Sequence, residues 1–332
     1  MKAIIPMAGK GTRLRPHTYT TPKPLVHVGG RPVMSYVLDD LLAIGVTEMV
    51  LVVGYLQDEV RAYMAENYPD IVTHYVVQEV QDGTAGAVKI AEPYVDEEVI
   101  ILFVDTLFEA DLSLVHRLDE GTDGVIWAKE VEDYYRYGVI VTDETGAMQQ
   151  IVEKPSEPIS KLANIGFYFI RDYKLLFEGI HKVLDSPPGP SGEFYLTDAF
   201  QYMVDHGSRL ETAPVEGWYD CGKPDTLLET NQYLLEHGRG GIASDAVLED
   251  CEVIEPVRIE SGVTATGSKI GPNVTLEAGV VLTESEISDS MVGADTTIEA
   301  SKVRNALIGE HASIQRFEGT LSVMSHSEVV GD

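Results

Sequence analysis

The chain of 332 residues has only two cysteines, Cys221 and Cys251, too few for a disulfide framework. It has no run of about 18 apolar residues, so no membrane-spanning helix is expected, and its first residues read as a strand, not a secretory leader. A cytoplasmic location is the expectation that follows. Basic residues are scarce: Lys plus Arg number 24 against 54 Asp plus Glu, a formal net charge of −30. The acidic excess is spread along the chain, and residues 237–332 alone carry a net −10. So diffuse a negative field argues against nucleic acid and anionic membranes as partners. It suits a salt-rich solution, in which counterions screen self-repulsion. The histidines, His17 and His27 among them, show no metal-ligand spacing. Hydrophobic residues make up 44%, which argues against disorder and, at this length, allows two domains.

One stretch departs from this acidity. Lys2, Lys10, Arg13, Arg15, Lys23 and Arg31 all precede the first carboxylate, Asp39. The apolar run Ala3-Ile4-Ile5 feeds a glycine loop, Gly9-Lys10-Gly11-Thr12-Arg13-Leu14. A strand entering such a loop can turn several backbone N–H groups toward a phosphate, and nearby Arg and Lys add charge-assisted bonds. The plainer alternative is a surface turn that happens to be basic.

Strand-like and helix-like segments alternate through the first two-thirds of the chain. Ala3–Pro6, Met49–Val53, Val72–Val77 and Val99–Val104 read as strands, with helical spacing at Val33–Ile44, Asp58–Tyr68 and Ala85–Ala91. This rhythm predicts an α/β fold, a doubly wound, mostly parallel Rossmann-like sheet whose ligands sit at the carboxyl ends of strands. Strands dominate residues 124–170, and helices return at Tyr173–Leu184, Leu196–Val204 and Pro224–Leu235. The glycines of His237-Gly238-Arg239-Gly240-Gly241 read as a helix cap and linker. Beyond residue 243, apolar residues recur every five or six positions, at Ile259, Ala265, Ile270, Leu276, Leu282 and onward to Ile314. That period predicts a parallel β-helix with three short faces per coil. An antiparallel β domain would show period two. The expected domains are 1–237 and 243–332.

The glycine loop lacks the spacing of a Walker P-loop and of the dinucleotide-binding fingerprint. It reads Gly9-x-Gly11-Thr12-Arg13-Leu14, followed by Pro22-Lys23-Pro24-Leu25. This double motif resembles that of the sugar-nucleotidyltransferases. The resemblance continues in order through Gly83-Thr84-Ala85-Gly86, Val104-Asp105-Thr106, Glu153-Lys154-Pro155, Asn164-Ile165-Gly166 and Trp218-Tyr219-Asp220-Cys221-Gly222. Within the family the chain looks most like glucose-1-phosphate thymidylyltransferases in a long form with a C-terminal left-handed β-helix.

The resemblance implies transfer of a nucleotidyl group from a nucleoside triphosphate, dTTP or UTP, to a sugar 1-phosphate, expected to be glucose 1-phosphate. Little covalent work falls to the protein in such a reaction, so positioning and electrostatics should dominate. Ala8, Gly9, Gly11 and Thr12 would cradle the triphosphate, since glycine permits close backbone approach. Arg13 would meet the departing pyrophosphate and Lys23 the α-phosphate. Gln78, Gly83 and Thr84 would meet a pyrimidine base. Lys154 would hold the sugar phosphate and Glu153 a sugar hydroxyl, with Gly138, Asn164 and Gly166 lining the sugar pocket. Asp105 and Asp220 would hold Mg2+, which favours a few carboxylates plus phosphate oxygens and water. A homo-oligomer is expected, because solenoids expose flat faces.

Some positions leave alternatives open. Asp105 could instead cap a following helix, and Glu153-Lys154 could be an exposed ion pair at a strand end. Val104 stands where the family usually has Gly, and its side chain either crowds the site or enters the core. Ser191 stands where many thymidylyltransferases carry Arg. Cys221 is expected to be a small buried residue, and Tyr134, Tyr135 and Tyr137 to pack on a sheet. A non-catalytic relative that binds a nucleotide sugar, a member using mannose 1-phosphate, and an acyltransferase relying on His311 or His326 are the competing readings.

Overall fold

A computed structural model describes residues 1–189 and 191–331; Asp332, the last residue of the expected β-helix, lies outside them. The chain forms two compact units, each discontinuous in sequence. Met1–Gly9 joins Tyr36–Trp218, and Lys10–Ser35 joins Tyr219 onward.

The first unit is built on a nine-stranded sheet. Its strands are β1 (Lys2–Pro6), β2 (Glu48–Val53), β3 (Val72–Val77), β4 (Val99–Leu102), β5 (Gly124–Glu130), β6 (Gly138–Thr142), β7 (Met148–Glu153), β8 (Leu162–Ile170) and β9 (Leu210–Pro214). The order is β7-β6-β8-β4-β1-β2-β3, with β5 pairing β8 and β9. β4, β1, β2 and β3 run parallel, and β8 turns antiparallel against β4. The central strands are continuous apolar runs because both faces are covered: Ala3–Ile5, Met49–Val52 and Val99–Leu102 are fully buried. The parallel part ends where the shorter connections of residues 124–170 permit antiparallel pairing. Chain order reverses between β1 and β4, so their carboxyl ends form the topological switch point, where open α/β sheets bind ligands. Helices Tyr173–Leu184 and Leu196–Asp205 bury Leu176, Ile180, Phe200 and Met203 in the same core. Asp172 caps the first of them by accepting from the Leu175 N–H at 3.0 Å.

One open alternative closes and one local expectation fails here. Residues after Asp105 form a strand, Thr106–Glu109, so Asp105 caps no helix. Tyr134 and Tyr135 lie on a 3-10 turn, Tyr134–Arg136, with Tyr135 exposed. A turn ahead of β6 takes these rings off the sheet, and Tyr137 alone packs as foreseen, its ring 4.9 Å from that of Trp218.

In the second unit, three 3-10 turns (Thr12–Leu14, His17–Tyr19, Lys23–Leu25) precede a small hairpin, His27–Val28 with Arg31–Pro32. Gly29 and Gly30 close it at φ 57° and 81°, the left-handed pair that a two-residue hairpin of this type demands. Helix Pro224–Leu234 is followed by a wider-wound π-helical end, Leu235–Arg239, in which Gly238 takes φ 92°. From Gly241 onward the strands stack into three parallel sheets of six, six and five strands, the pattern expected of a left-handed β-helix. The eleven apolar positions of the five-to-six period, from Ile259 to Ile314, are each 2% exposed or less. Register explains why the period is irregular. One coil takes 17 residues at Val247↔Thr264, 16 at Thr297↔Ser313 and 15 at Ser313↔Glu328. Left-handed residues mark the corners in columns, as at Asp250, Glu284, Ala300 and Arg316. No helix is long and apolar enough to cross a membrane among the described residues.

Candidate active site

In the first unit, the carboxyl ends of the parallel strands gather most of the expected base and sugar residues. Ala8 and Gly9 leave β1. Ala8 is buried and its carbonyl accepts from Gln81 Nε2 at 2.7 Å, while a Cβ on Gly9 would meet nothing within 4 Å. Gln78 follows β3. Its N–H donates to Val53 O at 2.9 Å, and its side-chain amide donates to Asp82 Oδ1 at 3.3 Å. Gly83 sits at φ 122°, ψ −176°, a region essentially reserved for glycine. A Cβ there would strike the Phe194 carbonyl at 2.3 Å. Ala85 N–H bonds Phe194 O at 3.0 Å, and the Leu196 N–H donates to Thr84 Oγ1 at 2.9 Å. These bonds lash the Gly83-Thr84 block to residues 194–196, more than a hundred positions away.

Asp105 leaves β4 next to β8. Phe103 N–H bonds Gly166 O at 3.0 Å. The register between β8 and β5 slips between Asn164 and Tyr168, and Gly166, at φ 82°, lies in this bulge. Val104 is 4% exposed, so its side chain enters the core. Burial raises the pKa of the Tyr168 phenol, and the charges of Glu153 and Asp105 push it further up. Both carboxylates therefore lie within electrostatic reach of this one hydroxyl.

Around Tyr168 lies a closed polar cluster. Tyr168 OH donates to Asn164 Oδ1, Asn164 Nδ2 donates to Gly138 O at 2.8 Å, and Thr197 Oγ1 donates to Glu153 Oε2 at 3.2 Å. A Cβ on Gly138 would stand 2.3 Å from Asn164 Nδ2 and 2.8 Å from Glu153 Oε2, so only glycine fits between them. Burial raises the Glu153 pKa. The Lys154 charge and the Thr197 bond oppose this, and Asp198 and Glu193 add to it. Lys154 takes φ 46° and holds its ammonium 3.8 Å from Glu153 Oε1 and 5.1 Å from the centre of the Tyr195 ring. The pair is half sunk into a polar cluster and is no simple exposed ion pair. Ser191 Oγ bonds the Tyr195 hydroxyl and Glu193 Oε2. Tyr168, Tyr195, Thr197 and Gln81 were not singled out from sequence. Gln81 and Tyr168 each stand two residues outside a recognisable block, and Tyr195 and Thr197 lie in no block at all, so no motif marks them.

In the second unit, Gly11 at φ 60° turns the basic loop. Thr18 Oγ1 donates to Gly11 O at 2.8 Å, and the Lys23 Cβ lies 3.1 Å from where a Gly11 Cβ would stand. Lys10, Thr12 and Arg13 are exposed, and among the described residues Lys10 and Arg13 carry no ion pair. The Arg13 guanidinium and Asp220 Oδ1 each lie 2.8 Å from where a Gly222 Cβ would stand. The Gly222 N–H donates to Asp220 Oδ1 at 2.7 Å. Cys221 is buried, as expected of a small packing residue. His311 and His326 stack at coil corners with ring centres 5.0 Å apart, and His311 Nδ1 is 3.7 Å from Asp295. Among the described residues no three His, Cys, Asp or Glu side chains gather as a metal cluster.

Residues 2–237 match the model of the nucleotidyl transferase family. The chain is 32% identical to a nucleotidyltransferase of low-salt glycan biosynthesis from Haloferax volcanii, over 95% of this chain and 94% of that one. It is 29% identical to a glucose-1-phosphate thymidylyltransferase from Streptomyces antibioticus, over 100% of this chain and 98% of that one. A crystal structure of UDP-glucose pyrophosphorylase with UDP-glucose has the same fold over 71% of this chain and 98% of its own, with a TM-score of 0.64 and 23% identity. With its glycine loop, its Pro-Lys-x-Leu block and its mixed sheet followed by a β-helix, the chain belongs to the nucleotidyl transferase family.

Proposed function

We propose that the protein joins dTTP or UTP to glucose 1-phosphate, giving a nucleoside-diphosphate glucose and pyrophosphate. Nucleotidyl transfer to glucose 1-phosphate is the chemistry that the names of two relatives state, one a uridylyltransferase and one a thymidylyltransferase; the choice of base and sugar is the finer reading. A phosphate oxygen of the sugar 1-phosphate attacks the α-phosphorus, and one new P–O bond forms. The bond from that phosphorus to its bridging oxygen breaks, and pyrophosphate leaves with the electron pair.

The carrying observation is the basic loop with Gly222. A guanidinium, exposed and without an ion pair among the described residues, and a carboxylate close in beside the backbone of Gly222, where a Cβ would have to displace them. In this reading Arg13 presents its planar fork to pyrophosphate, Lys23 meets the α-phosphate, and the backbone of residues 9–12 receives the triphosphate. The Gln78 amide and the Gly83 backbone read the base. Lys154 takes the sugar phosphate. Glu153, Asn164 and the backbones of Gly138 and Gly166 take hydroxyls. Asp105 and Asp220 would bind magnesium. The donor chemistry fits, because Mg2+ takes hard carboxylate oxygens and draws its remaining ligands from phosphate and water. When bound, the ion neutralises phosphate charge.

Pyrophosphate release across a panel of nucleotides and sugar 1-phosphates, in low and high KCl, tests the reading. Turnover with dTTP or UTP and glucose 1-phosphate is expected. No release with any combination would end it.

A further inference from the structure

Lys10–Ser35, the segment carrying Arg13 and Lys23, folds as one compact unit with the β-helix. Three side-chain contacts pin it there. His17 Nε2 lies 3.1 Å from Ser322 Oγ. His27 Nδ1 lies 2.7 Å from Glu277 Oε1. The Gly29 N–H donates to Asn231 Oδ1 at 3.1 Å, and the Thr275 hydroxyl donates to the same oxygen at 2.7 Å. Two donors on that oxygen leave the buried Asn231 Nδ2 without a partner among the described residues, an unfavourable arrangement that folds seldom keep.

Glu277 is 8% exposed, and a carboxylate so placed needs a compensating partner. His27 is that partner. It stands one 3-10 turn after Lys23, whose carbonyl accepts from Val26 N–H at 3.2 Å. The Lys23 Cβ in turn backs the glycine loop at Gly11. A mechanical path thus runs from Glu277 through His27 and Lys23 to the loop of Arg13.

We infer that Glu277, through His27, is a positioning residue for the basic loop, so that the β-helix is a working part of the transferase; this rests on the nucleotidyl-transfer reading. Burial by itself would lower the His27 pKa. The bond and charge of Glu277, with the charges of Glu310 and Glu260, outweigh burial and raise it above 6.5. On its own segment, His17 lines the same cleft, and burial holds its pKa down at about 4, so His17 stays neutral where His27 titrates. The charged bond is therefore complete below pH 6.5 and is lost as pH rises through the raised His27 value.

The experiment compares wild type with Glu277→Gln, His27→Gln, the double variant, and Lys302→Gln as a control on another face of the β-helix. For Glu277→Gln, kcat for pyrophosphate release is expected to fall roughly tenfold, with KM for the sugar 1-phosphate unchanged. Wild-type kcat should decline with rising pH through the His27 titration, and Glu277→Gln should lack that inflection. The double variant should be no worse than either single change. Deuterium exchange of residues 20–30 should quicken in each of the three anchor variants and not in the control. If exchange and the pH profile match wild type in Glu277→Gln, the inference is overturned. If Glu277→Gln does not fold, His27→Gln decides by the same readouts. If wild type turns over no substrate, the functional reading fails, and the exchange measurement still decides whether the anchor exists.

Discussion

The polar cluster around Tyr168 and the basic loop are opposite kinds of surface. Around Tyr168 the donors and acceptors of Asn164, Gly138, Thr197 and Glu153 already satisfy one another. The basic loop presents Lys10 and Arg13 to solvent without ion pairs among the described residues. A neutral sugar is best met by a rigid set of hydrogen bonds, whose cost of ordering has been met in folding. A triphosphate brings its own charge, and cations already committed to protein carboxylates would have to be released first. The chain's acidity sharpens this contrast, since carboxylates are plentiful everywhere except in residues 1–38.

Four measurements can break or sharpen the comparison. The largest effect is expected from Arg13→Ala. In the proposed role Arg13 is a charged donor to the leaving group, and its loss should lower kcat about 100- to 1000-fold in a pyrophosphate-release assay. A change below threefold would remove Arg13 from the chemistry. Next, Glu153→Gln keeps the shape but loses the charged acceptor. KM for the sugar 1-phosphate should rise about tenfold, while KM for the nucleotide stays put; a rise in the nucleotide KM alone would contradict the sugar assignment.

The same substitution carries a pH signature. The Glu153 pKa is raised above 4.5, so its contribution to stability is complete below that pH and is lost as pH rises through the raised value. Glu153→Gln should therefore melt about 2 °C higher than wild type at pH 7 and no higher at pH 4. Equal melting temperatures at both pH values would show that the carboxylate is not strained by burial. The smallest effect is a general one. Melting temperature should climb with KCl, because screening relieves the self-repulsion of a −30 chain. A flat or falling curve would mean that local ion pairs already absorb the field.

Much of the fold could be read from the residues, for a physical reason that differs between the units. Val99–Leu102 and Met49–Val53 announce themselves as strands because both sheet faces are buried. The β-helix announces itself because one inward residue per short face must be apolar. What could not be read are pieces whose conformation is decided by distant partners. The strands Thr106–Glu109 and Leu210–Pro214 carry no strong period of their own. The site follows the same rule. Gly9 to Leu14 and Pro22 to Leu25 lie in compact motifs. Thr197 and Tyr195 matter only because Phe194 and Leu196 are bonded to Ala85 and Thr84. The direction of Val104 and the burial of Glu153 are likewise properties of packing, which no short motif encodes.

The contact between His17 and Ser322 spans 305 positions of the chain. During synthesis His17 emerges well before Ser322, so this anchor closes only after the intervening chain has been made. A growing chain can complete β1 and its neighbours before the coils that receive residues 10–35 exist. The basic loop should thus gain its anchors stepwise, at Asn231, then Glu277, then Ser322, after most of the sheet is already in place.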